Sequence, residues 1–534
     1  MKKSLLLVVA IILHASLFAQ TPGVSVFDTS GKEYIEYIPG NLPIIISAPH
    51  GGLKLTGGTV NGVNYPDNST TNNSSQPYYL PTRGCGTNER DDNTDVLIER
   101  IQAELFAQTG GYAHVIINRL NRKKLDPNRE QNEATCGNAN ALFFWNAWHS
   151  FLDDASTAVE TNWGKGLYID LHGQSHSIPR IEVGYNVTSS QLNSASGING
   201  ASIVNNSTIK NLVANNLNGL NHEQLVRGDD SLGELFQNAA YHATSGFYAA
   251  QNYPGCTRNG TTGYRAIPSS SDYGSSSCDD TQPFSNAYFD GDFYNNRRHG
   301  SGQSASDGLG GGGTVDGIMT EVNRRVRDLG SPFSSGPDTT TPFAKDYASV
   351  VLEYIDTHYN DFTGFGYSSA SYDAGTDSNP TPTLSTGVSG GLYTSSPVGL
   401  VIDSNTGTID LMGSTPGNYT VTYSVGPSSV ASAPNRYYSS SQTVEIIAST
   451  LSVVDFNKET FKLYPNPANE FVQFESNKEI SKVVIFNLLG QEMISIKTNA
   501  RQATLDVSNL TQGSYLMSFY IEGLLVNSKV ILKN

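Results

Sequence analysis

The sequence predicts an α/β domain with a mostly parallel or mixed central sheet flanked by helices, followed by two small β-sandwich domains. Between about residues 24 and 358, short β-branched runs alternate with longer segments of helical periodicity. After residue 359, short alternating runs are separated by turn residues, as in small β-sandwiches. With 534 residues, the chain is also too long for one ordinary core.

Four apolar runs are predicted to form strands of the central sheet. Polar residues follow each run at once, so polar groups are expected at the carboxyl ends of the strands, where ligand crevices of open α/β sheets form. The runs are residues 41–50, 113–119, 166–173 and 316–324. Apolar residues at helical spacing predict three helices, over residues 94–108, 139–156 and 344–359.

The N-terminus predicts an exported protein. Residues 1–20 run from Lys2 and Lys3 through an apolar stretch to Ala19 and Gln20, which is the order of a cleavable secretory signal. The apolar stretch is short for a bilayer span, and no cysteine follows it to carry a lipid. We therefore expect a mature chain whose first domain covers residues 21–360.

Two further domains are predicted behind a linker. Residues 361–379 have the Gly, Ser, Pro and Asp content of a linker, and residues 380–449 alternate like a small Ig-like β-sandwich, which we interpret as a spacer. Residues 455–534 again predict short strands. Their motifs are Tyr464-Pro465-Asn466-Pro467, Asn487-Leu488-Leu489-Gly490, Leu510 with Gly513-Ser514-Tyr515, and Lys529-Val530.

In motif order, this last block resembles a type IX secretion sorting domain. The resemblance implies the type IX secretion machinery as a partner and a secreted or cell-surface location, reached through the periplasm. The strand pattern alone shows only a small β domain, so a second β-sandwich with an adhesive role is the alternative.

Composition restricts the partners and the redox chemistry. A net charge of −16, from 33 Lys and Arg against 49 Asp and Glu, argues against a nucleic-acid partner. In an oxidising compartment, the four cysteines could form two disulfides. The order Cys85, Cys136, Cys256, Cys278 suggests sequential pairing, although three connectivities are possible. No CxxC pair is present, which argues against a cysteine-zinc site.

Two histidines end predicted strands of the first domain and are candidate zinc ligands. His50 and His172 each stand beside glycines that would let substrate or backbone approach. A zinc hydrolase needs three protein ligands and an open position for water, because the ion polarises a carbonyl and acidifies the nucleophile. A single histidine after a strand is usually structural, but two with acidic neighbours favour a metal.

The third ligand must come from elsewhere, because no acid lies three residues after His50. Residues 89–95 contain four acids and open a predicted helix. An acid there either caps the helix and complements its dipole or binds the metal. Capping needs only one of them, so at least one remains available.

Taken together, the strand-end motifs resemble the N-formylglutamate amidohydrolase family, which is similar in fold and metal site to zinc carboxypeptidases. The resemblance spans about His50 to Glu321. Seven segments carry it in the family's order, namely residues 47–52, 90–101, 114–130, 167–176, 180–185, 289–301 and 318–328.

The resemblance implies roles for several residues. His50, His172 and an Asp of a D-x-x-T helix start would bind zinc. Asp91, with Thr94 three residues on, fits better than the alternate, Asp92.

Substrate binding is implied for Asn128 and Arg129, because a planar guanidinium is well shaped for a carboxylate. A structural pair between Arg129 and Asp126 is the alternative. Glu321 is our candidate general base and acid, which would take a proton from water and deliver it to the leaving amine. For Glu321 the alternative is a salt bridge to Arg324 or Arg325.

The remaining candidates have supporting roles. Asp170, two residues before His172, would share its face of the strand and orient the imidazole. Asp126 and Glu182 are likewise expected to support the metal ligands without binding the metal themselves. Arg298 and His299 are candidate substrate contacts that could stabilise an oxyanion, with a solvent-facing loop as the alternative.

The predicted function is zinc-dependent hydrolysis of an amide bond next to a free carboxylate, in an N-acyl amino acid or peptide. N-formylglutamate itself fits poorly, since a cytoplasmic histidine-degrading enzyme needs no export signal. Carboxypeptidase and cell-wall amidase activities of the same fold are alternatives, as is a non-catalytic adhesin that kept the hydrolase fold. A serine hydrolase is disfavoured because no G-x-S-x-G elbow is present.

Overall fold

The computed structural model describes residues 21–56, 59–60, 62–65, 77–176, 180–194, 196–239, 264–270, 288–302, 313–426, 438–448 and 461–534. Within these, the chain forms two compact units. The first runs to residue 370 and adds residues 379–414 and 418–445. The second holds residues 446–534 with segments 371–378 and 415–417. The predicted signal segment, residues 1–20, lies outside the described residues.

An eight-stranded mixed sheet forms the centre of the first unit, in the order β1-β2-β6-β3-β7-β10-β8-β9. Its inner strands β6, β3, β7 and β10 are parallel. The pairs β1–β2, β2–β6 and β10–β8 are antiparallel, and β8–β9 is parallel. A separate hairpin is formed by β4 and β5. The strands are β1 (Val26–Phe27), β2 (Ile35–Ile38), β3 (Ile44–Ala48), β4 (Thr59–Val60), β5 (Val63–Asn64), β6 (His114–Asn118), β7 (Gly166–Gln174), β8 (Ile181–Gly184), β9 (Ala266–Ile267) and β10 (Val315–Asn323).

The four strands predicted from apolar runs are β3, β6, β7 and β10, and they are neighbours in the sheet. Every residue of β3, β6 and β10 is buried, which explains why these strands read as continuous apolar runs rather than alternating ones. Because they are parallel, their carboxyl ends meet at one edge of the sheet. His50, His172 and Glu321 lie at or close to these ends.

Helices cover the sheet, and the three predicted ones are confirmed. They are α1 (Thr94–Thr109), α2 (Gln131–Thr135), α3 (Ala139–Trp163), α4 (Ser189–Leu192), α5 (Ala201–Asn206), α6 (Lys210–Asn215), α7 (His222–Arg227), α8 (Leu232–Asn238), α9 (Tyr294–His299) and α10 (Thr340–His358), with a 3₁₀ turn at Arg324–Val326. Helix α3 is capped at its start by Asn138, whose side chain accepts a hydrogen bond from the Ala141 N–H, and at its end by Gly164 in the left-handed conformation.

The main core of this unit lies between α3 and the sheet. Phe144, Trp148 and Leu152 of α3 are fully buried in one cluster with Tyr37 and Ile45 from the strands. The Phe144 ring lies 5.0 Å from that of Tyr34, in a tilted arrangement. Burial of these large rings supplies much of the favourable free energy that holds the helix on the sheet.

Between α10 and residue 448, the regular structure of the described residues consists of β-strands. Gly417–Val425 pairs antiparallel with Leu392–Ser396 and neighbours Tyr438–Ile447 in the sheet. Two short strands fall within the predicted linker, at Phe365–Gly366 and Ser371–Asp373. The strands are β11 (Phe365–Gly366), β12 (Ser371–Asp373), β13 (Thr383–Leu384), β14 (Leu392–Ser396), β15 (Val401–Ile402), β16 (Ile409–Asp410), β17 (Gly417–Val425) and β18 (Tyr438–Ile447).

The second unit contains a five-stranded antiparallel sheet in the order β19-β20-β22-β23, with β21 paired to β20. Alternating apolar residues such as Phe474, Ile485, Met517 and Phe519 form its buried core. The strands are β19 (Phe461–Tyr464), β20 (Phe471–Phe486), β21 (Glu492–Asp506), β22 (Gly513–Ile521) and β23 (Leu524–Lys533). The chain is thus an α/β region followed by β-rich regions, as predicted.

One predicted disulfide is present. Cys85 and Cys136 are joined, with their Cα atoms 6.0 Å apart. The second predicted pair, Cys256 with Cys278, lies outside the described residues. The Cys85–Cys136 bond ties the loop before α1 to the end of α2, and both segments flank the site described below.

Replacement of Phe144 tests the core between α3 and the sheet. We expect Phe144→Ala to lower the free energy of unfolding by about 3–5 kcal/mol, because it removes a fully buried ring and leaves a cavity. All three tryptophans of the chain lie on α3, so tryptophan fluorescence during urea unfolding reports on this region. The control Ser150→Ala, at an exposed position of the same helix, should stay within about 0.5 kcal/mol of the parent.

Candidate metal and active site

Three predicted ligands meet at the carboxyl edge of the parallel strands. His50 follows β3, His172 lies near the end of β7, and Asp91 precedes α1. All three are buried, and their ligand atoms lie within 4.8 Å of one another, so they could hold a metal ion. His172 joins His50 because the adjacent parallel strands β3 and β7 end at one edge of the sheet, and Asp91 reaches the same place from the segment before α1.

The two distances from Asp91 to the imidazole nitrogens suit neighbouring ligands of a tetrahedral ion. Asp91 Oδ2 lies 3.3 Å from Nδ1 of His50 and 3.0 Å from Nδ1 of His172. With metal–ligand bonds of about 2.0–2.1 Å, the edge of a tetrahedral zinc site is about 3.3 Å. Both imidazoles therefore direct Nδ1 toward the position that an ion would occupy beside this carboxylate oxygen.

The second nitrogen of each imidazole is held by another carboxylate. Nε2 of His50 lies 2.7 Å from Asp126 Oδ1, and Nε2 of His172 lies 2.9 Å from Asp170 Oδ2. A carboxylate that accepts the Nε2–H fixes the tautomer and leaves the Nδ1 lone pair for a metal. Asp126 and Asp170 therefore hold the two imidazoles in the orientation in which Nδ1 faces Asp91.

Those two carboxylates are themselves held in place. Arg122 donates from Nε to Asp126 Oδ2 at 2.8 Å, and the Ser47 hydroxyl donates to Asp170 Oδ1 at 2.7 Å. Both aspartates are fully buried, so each charge needs such partners. The partners orient the carboxylates, which in turn orient the imidazoles.

The electrostatics of the cluster keep Asp91 ionised. Burial alone would raise the pKa of Asp91, but the charge of His50 and the hydrogen bond from His172 lower it well below its usual value. Burial would likewise lower the pKa of His172, yet the charge of Asp170 raises it well above the usual range. A carboxylate close to two imidazoles is a place where a divalent cation replaces protons.

The structure distinguishes the two aspartates that the sequence left open. The side chain of Asp92 is 63% exposed and pairs with Arg90 at 2.5 Å, so it does not share the position of Asp91. Helix α1 is not capped by either acid, since its N-cap is Asn93 in the left-handed conformation. Thr94 instead donates its hydroxyl to the Asp91 carbonyl at 3.0 Å, which fixes the backbone of Asp91.

Gly51 permits the close approach of the histidine loop to α1. A Cβ on Gly51 would lie 2.4 Å from the backbone nitrogen of Asp95 and 2.6 Å from the Thr94 hydroxyl. Only a residue without a side chain fits there. The glycine after His50 thus serves the packing of the helix start that carries Asp91.

A cleft of about 380 Å³ opens over the three ligands. Asn128 and Arg129, the predicted substrate clamp, both line it. Asn128 Nδ2 lies 2.9 Å from Nε2 of His172, and its Oδ1 accepts from the Asn295 N–H at 2.9 Å. Asn128 therefore contacts the imidazole nitrogen of His172 that also faces Asp170.

Arg129 lies at the wall of the cleft. Its guanidinium stands 5.0 Å from the centre of the Phe293 ring and donates from Nε to Glu133 at 3.2 Å. The predicted alternative, a pair with Asp126, is not what the structure shows, since Asp126 pairs with Arg122 and Arg83. Its Nη1 also donates to the Asn128 carbonyl at 2.7 Å.

Glu321 lies in β10 with its Cα opposite that of His172 in the neighbouring strand, and it lines the same cleft. Its Oε2 is buried and has no hydrogen-bond partner among the described residues. Burial raises the pKa of Glu321 to about 8, although the charge of His172 acts in the opposite direction. A cation at the Asp91 cluster would lower this pKa and favour the carboxylate form.

The structure places Arg298 and His299 away from this cleft. Arg298 packs 5.5 Å from the Trp145 ring and pairs with Asp153, both on α3. His299 is buried against His149, with 2.9 Å between Nε2 and Nδ1 of the two rings. Neither Arg298 nor His299 is among the described residues that line the cleft.

Several residues at the site were not predicted. Arg122 lines the cleft and lies four residues before Asp126, a spacing that could have suggested the pair. Ser47 lies in β3, shortly before His50 in the sequence. The partly exposed rings of Phe289 and Phe293 and the side chain of His176 also line the cleft. No local pattern in the sequence distinguishes these three from ordinary loop residues.

Residues 462–533 match the family model of the secretion system C-terminal sorting domain. This match confirms the predicted sorting domain and implies an interaction with the type IX secretion machinery. The chain is therefore a secreted or cell-surface protein. Among the helices of the described ranges, none is both long and apolar enough to cross a bilayer.

Solved structures give only distant similarities. N-formylglutamate amidohydrolase from Ralstonia eutropha is 11% identical, with 62% of this chain and 96% of that chain covered and a TM-score of 0.28. Fibronectin(III)-like modules of CbhA from Clostridium thermocellum are 17% identical over 32% of this chain and 92% of that one, with a TM-score of 0.14.

Dimeric latent PorU from Porphyromonas gingivalis is 12% identical over 41% of this chain and 22% of that one, with a TM-score of 0.12. These low scores establish neither the fold nor the function of this chain. A comparison with curated proteins finds no match.

Metal binding by the cluster can be tested with two neighbouring aspartates. After incubation with zinc and dialysis, we expect the wild-type chain to retain about one equivalent and Asp91→Asn to retain almost none, because the variant loses the anionic ligand. Asp92→Asn is the matched control, and it should bind like the wild type since its side chain is exposed. Elemental analysis measures both, and equal zinc contents in the two variants would exclude Asp91 as a ligand.

Proposed function

We propose that this chain is an exported zinc-dependent amidohydrolase that cleaves an amide bond next to a free carboxylate, in an N-acyl amino acid or peptide. The observation that carries the proposal is the buried cluster of His50, Asp91 and His172, whose imidazoles are each held from behind by a carboxylate. An arrangement of this kind is costly to bury unless a cation completes it.

Zinc fits the donor set. Two imidazole nitrogens and one carboxylate oxygen are a ligand set of catalytic zinc sites, which keep a further position open. When bound, zinc polarises a carbonyl and lowers the pKa of a water molecule. The cleft over the three ligands supplies the space that such an open position requires.

Glu321 is proposed as the general base. Its carboxyl group lines the cleft beside His172, and its buried Oε2 has no hydrogen-bond partner in the described part of the chain. An unpartnered buried carboxyl oxygen next to a cation position is suited to accept a proton from the attacking water. Among the described residues, neither Arg324 nor Arg325 forms an ion pair with Glu321, and both arginines are exposed.

Arg129 and Asn128 are proposed to hold the substrate. The guanidinium of Arg129 would pair with the free carboxylate and place the amide carbonyl over the metal position. The volume of about 380 Å³ suits a ligand the size of a modified amino acid or the end of a peptide. This size, together with export, favours an N-acyl amino acid or a peptide terminus over a polymer interior.

Replacement of Glu321 tests the proposed base. We expect Glu321→Gln to bind zinc like the wild type and to lower kcat by about a hundredfold or more on an N-acyl amino acid, because the amide cannot accept the proton. Assays with a panel of N-acyl amino acids and dipeptides would measure this change. A variant that stays within about tenfold of wild type, with zinc retained, removes Glu321 from this role.

Removal of the sorting domain separates export from catalysis. We expect a chain that ends at residue 459 to remain in the periplasm, because it lacks the matched segment at residues 462–533, while it keeps its activity. Fractionation of cells and medium measures the location. Export at the wild-type level would contradict a sorting role for this segment.

A further inference from the structure

A carboxylate–imidazole pair lies in the cleft beside the proposed metal position. Nδ1 of His176 is 2.8 Å from Oε1 of Glu182. Glu182 lies in β8 and is fully buried, whereas the side chain of His176 is 26% exposed and lines the cleft that His172 and Glu321 share. The pair therefore combines a buried carboxylate of fixed position with an imidazole that a ligand can reach.

The carboxylate of Glu182 is held from several directions. Arg180 lies 3.2 Å from Oε1 through its Nε, and the Phe289 N–H donates to Oε2 at 2.8 Å. The Phe289 ring also stacks on the imidazole of His176, with centroids 4.8 Å apart and an interplanar angle of 15°. Phe289 thus fixes both the carboxylate and the plane of the ring.

The backbone of His176 is anchored to the two central strands. Its N–H donates to the Gln174 side chain at 2.6 Å, and its carbonyl accepts from Nδ2 of Asn323 at 3.5 Å. Gln174 ends β7 and Asn323 ends β10, the strands that carry His172 and Glu321. The imidazole of His176 is consequently held in a defined position relative to His172 and Glu321.

Nε2 of His176 has no hydrogen-bond partner among the described residues, in contrast to Nδ1. A carboxylate behind an imidazole holds its orientation and stabilises the imidazolium, so that the distal nitrogen can give a proton to a bound group. In this cleft the distal nitrogen is the one left for a ligand.

We propose that His176 is a catalytic residue that protonates the leaving nitrogen of the substrate, and that Glu182 is its positioning residue. This inference rests on the proposed amidohydrolase function. When the C–N bond breaks, its electron pair stays on nitrogen, and the Nε2 proton of His176 is transferred to that nitrogen. His176 then regains a proton from solvent, and Glu321 releases to solvent the proton that it took from the attacking water. The base and acid roles thus belong to two residues, Glu321 for the water and His176 for the amine.

Two substrates with the same acyl group and a free carboxylate test this role. One is an N-acyl amino acid, whose amine must be protonated to leave, and the other is a phenolic ester of 4-hydroxybenzoate, whose phenolate leaves without a proton. We expect His176→Ala to lower kcat/KM on the amide by about a hundredfold or more and on the ester by less than about fivefold. Added imidazole should restore part of the amide activity only.

Glu182→Gln should show the same selectivity for the amide with a smaller loss, because the imidazole remains but loses its charged partner. Zinc content and thermal unfolding of both variants serve as controls. Equal losses on amide and ester would assign His176 a structural role, and an unchanged rate on the amide would remove it from the reaction. If the wild type cleaves neither substrate, the proposed function fails, and this inference fails with it.

Discussion

The carboxylate of Asp91 meets the imidazoles of His50 and His172 in a buried space at the edge of the sheet, and the organisation of the site depends on this contact. One oxygen, Oδ2, lies 3.3 Å and 3.0 Å from the two Nδ1 atoms and also accepts the Gly173 N–H at 3.1 Å. A buried carboxylate without compensation costs several kcal/mol, so its charge must be balanced by imidazolium or by a metal. The surrounding structure supplies the means to keep the imidazoles in place for either partner.

That surrounding structure is built in layers from different elements. Asp126, after β6, and Asp170, in β7, hold the Nε2 atoms of the two imidazoles. Arg122 and Ser47 then hold the two carboxylates. Because the members of each layer come from different strands or from the segments that follow them, the parallel order of β6, β3 and β7 is what brings them together. The order of the strands in the sheet therefore determines the geometry of the candidate ligands.

The sequence predicted those parts of the fold and site that depend on local pattern. The continuous apolar runs that form β3, β6, β7 and β10 are visible because these strands are buried on both faces. His50 and His172 could be recognised because each ends such a run. Parallel pairing then brings strand ends together, whatever loops lie between them.

Contacts that cross between distant segments could not be predicted in the same way. Asp91 and Asp92 are adjacent and equally acidic, and only the folded chain shows that Asp91 faces His172 whereas Asp92 pairs with Arg90. Arg298 and His299 looked like cleft residues, but α9 turns them toward α3, where Asp153 and His149 lie. His176 had no informative neighbour in sequence, because its partner Glu182 is recognisable only when β8 lies beside β10.

Glu321 and Glu182 show how neighbouring positions of one sheet acquire different chemistry. Their Cα atoms are opposite each other in the antiparallel pair of β10 and β8, and both side chains are buried. Arg180, His176 and a backbone N–H surround the carboxylate of Glu182, so its charge is satisfied within the protein. Glu321 instead has one buried oxygen without a hydrogen-bond partner among the described residues, and its Cα lies opposite that of His172. Different environments for two adjacent carboxylic acids commonly separate their roles in catalysis. By this argument, Glu182 serves to orient an imidazole, and Glu321 is the carboxyl group left to exchange a proton with a bound molecule.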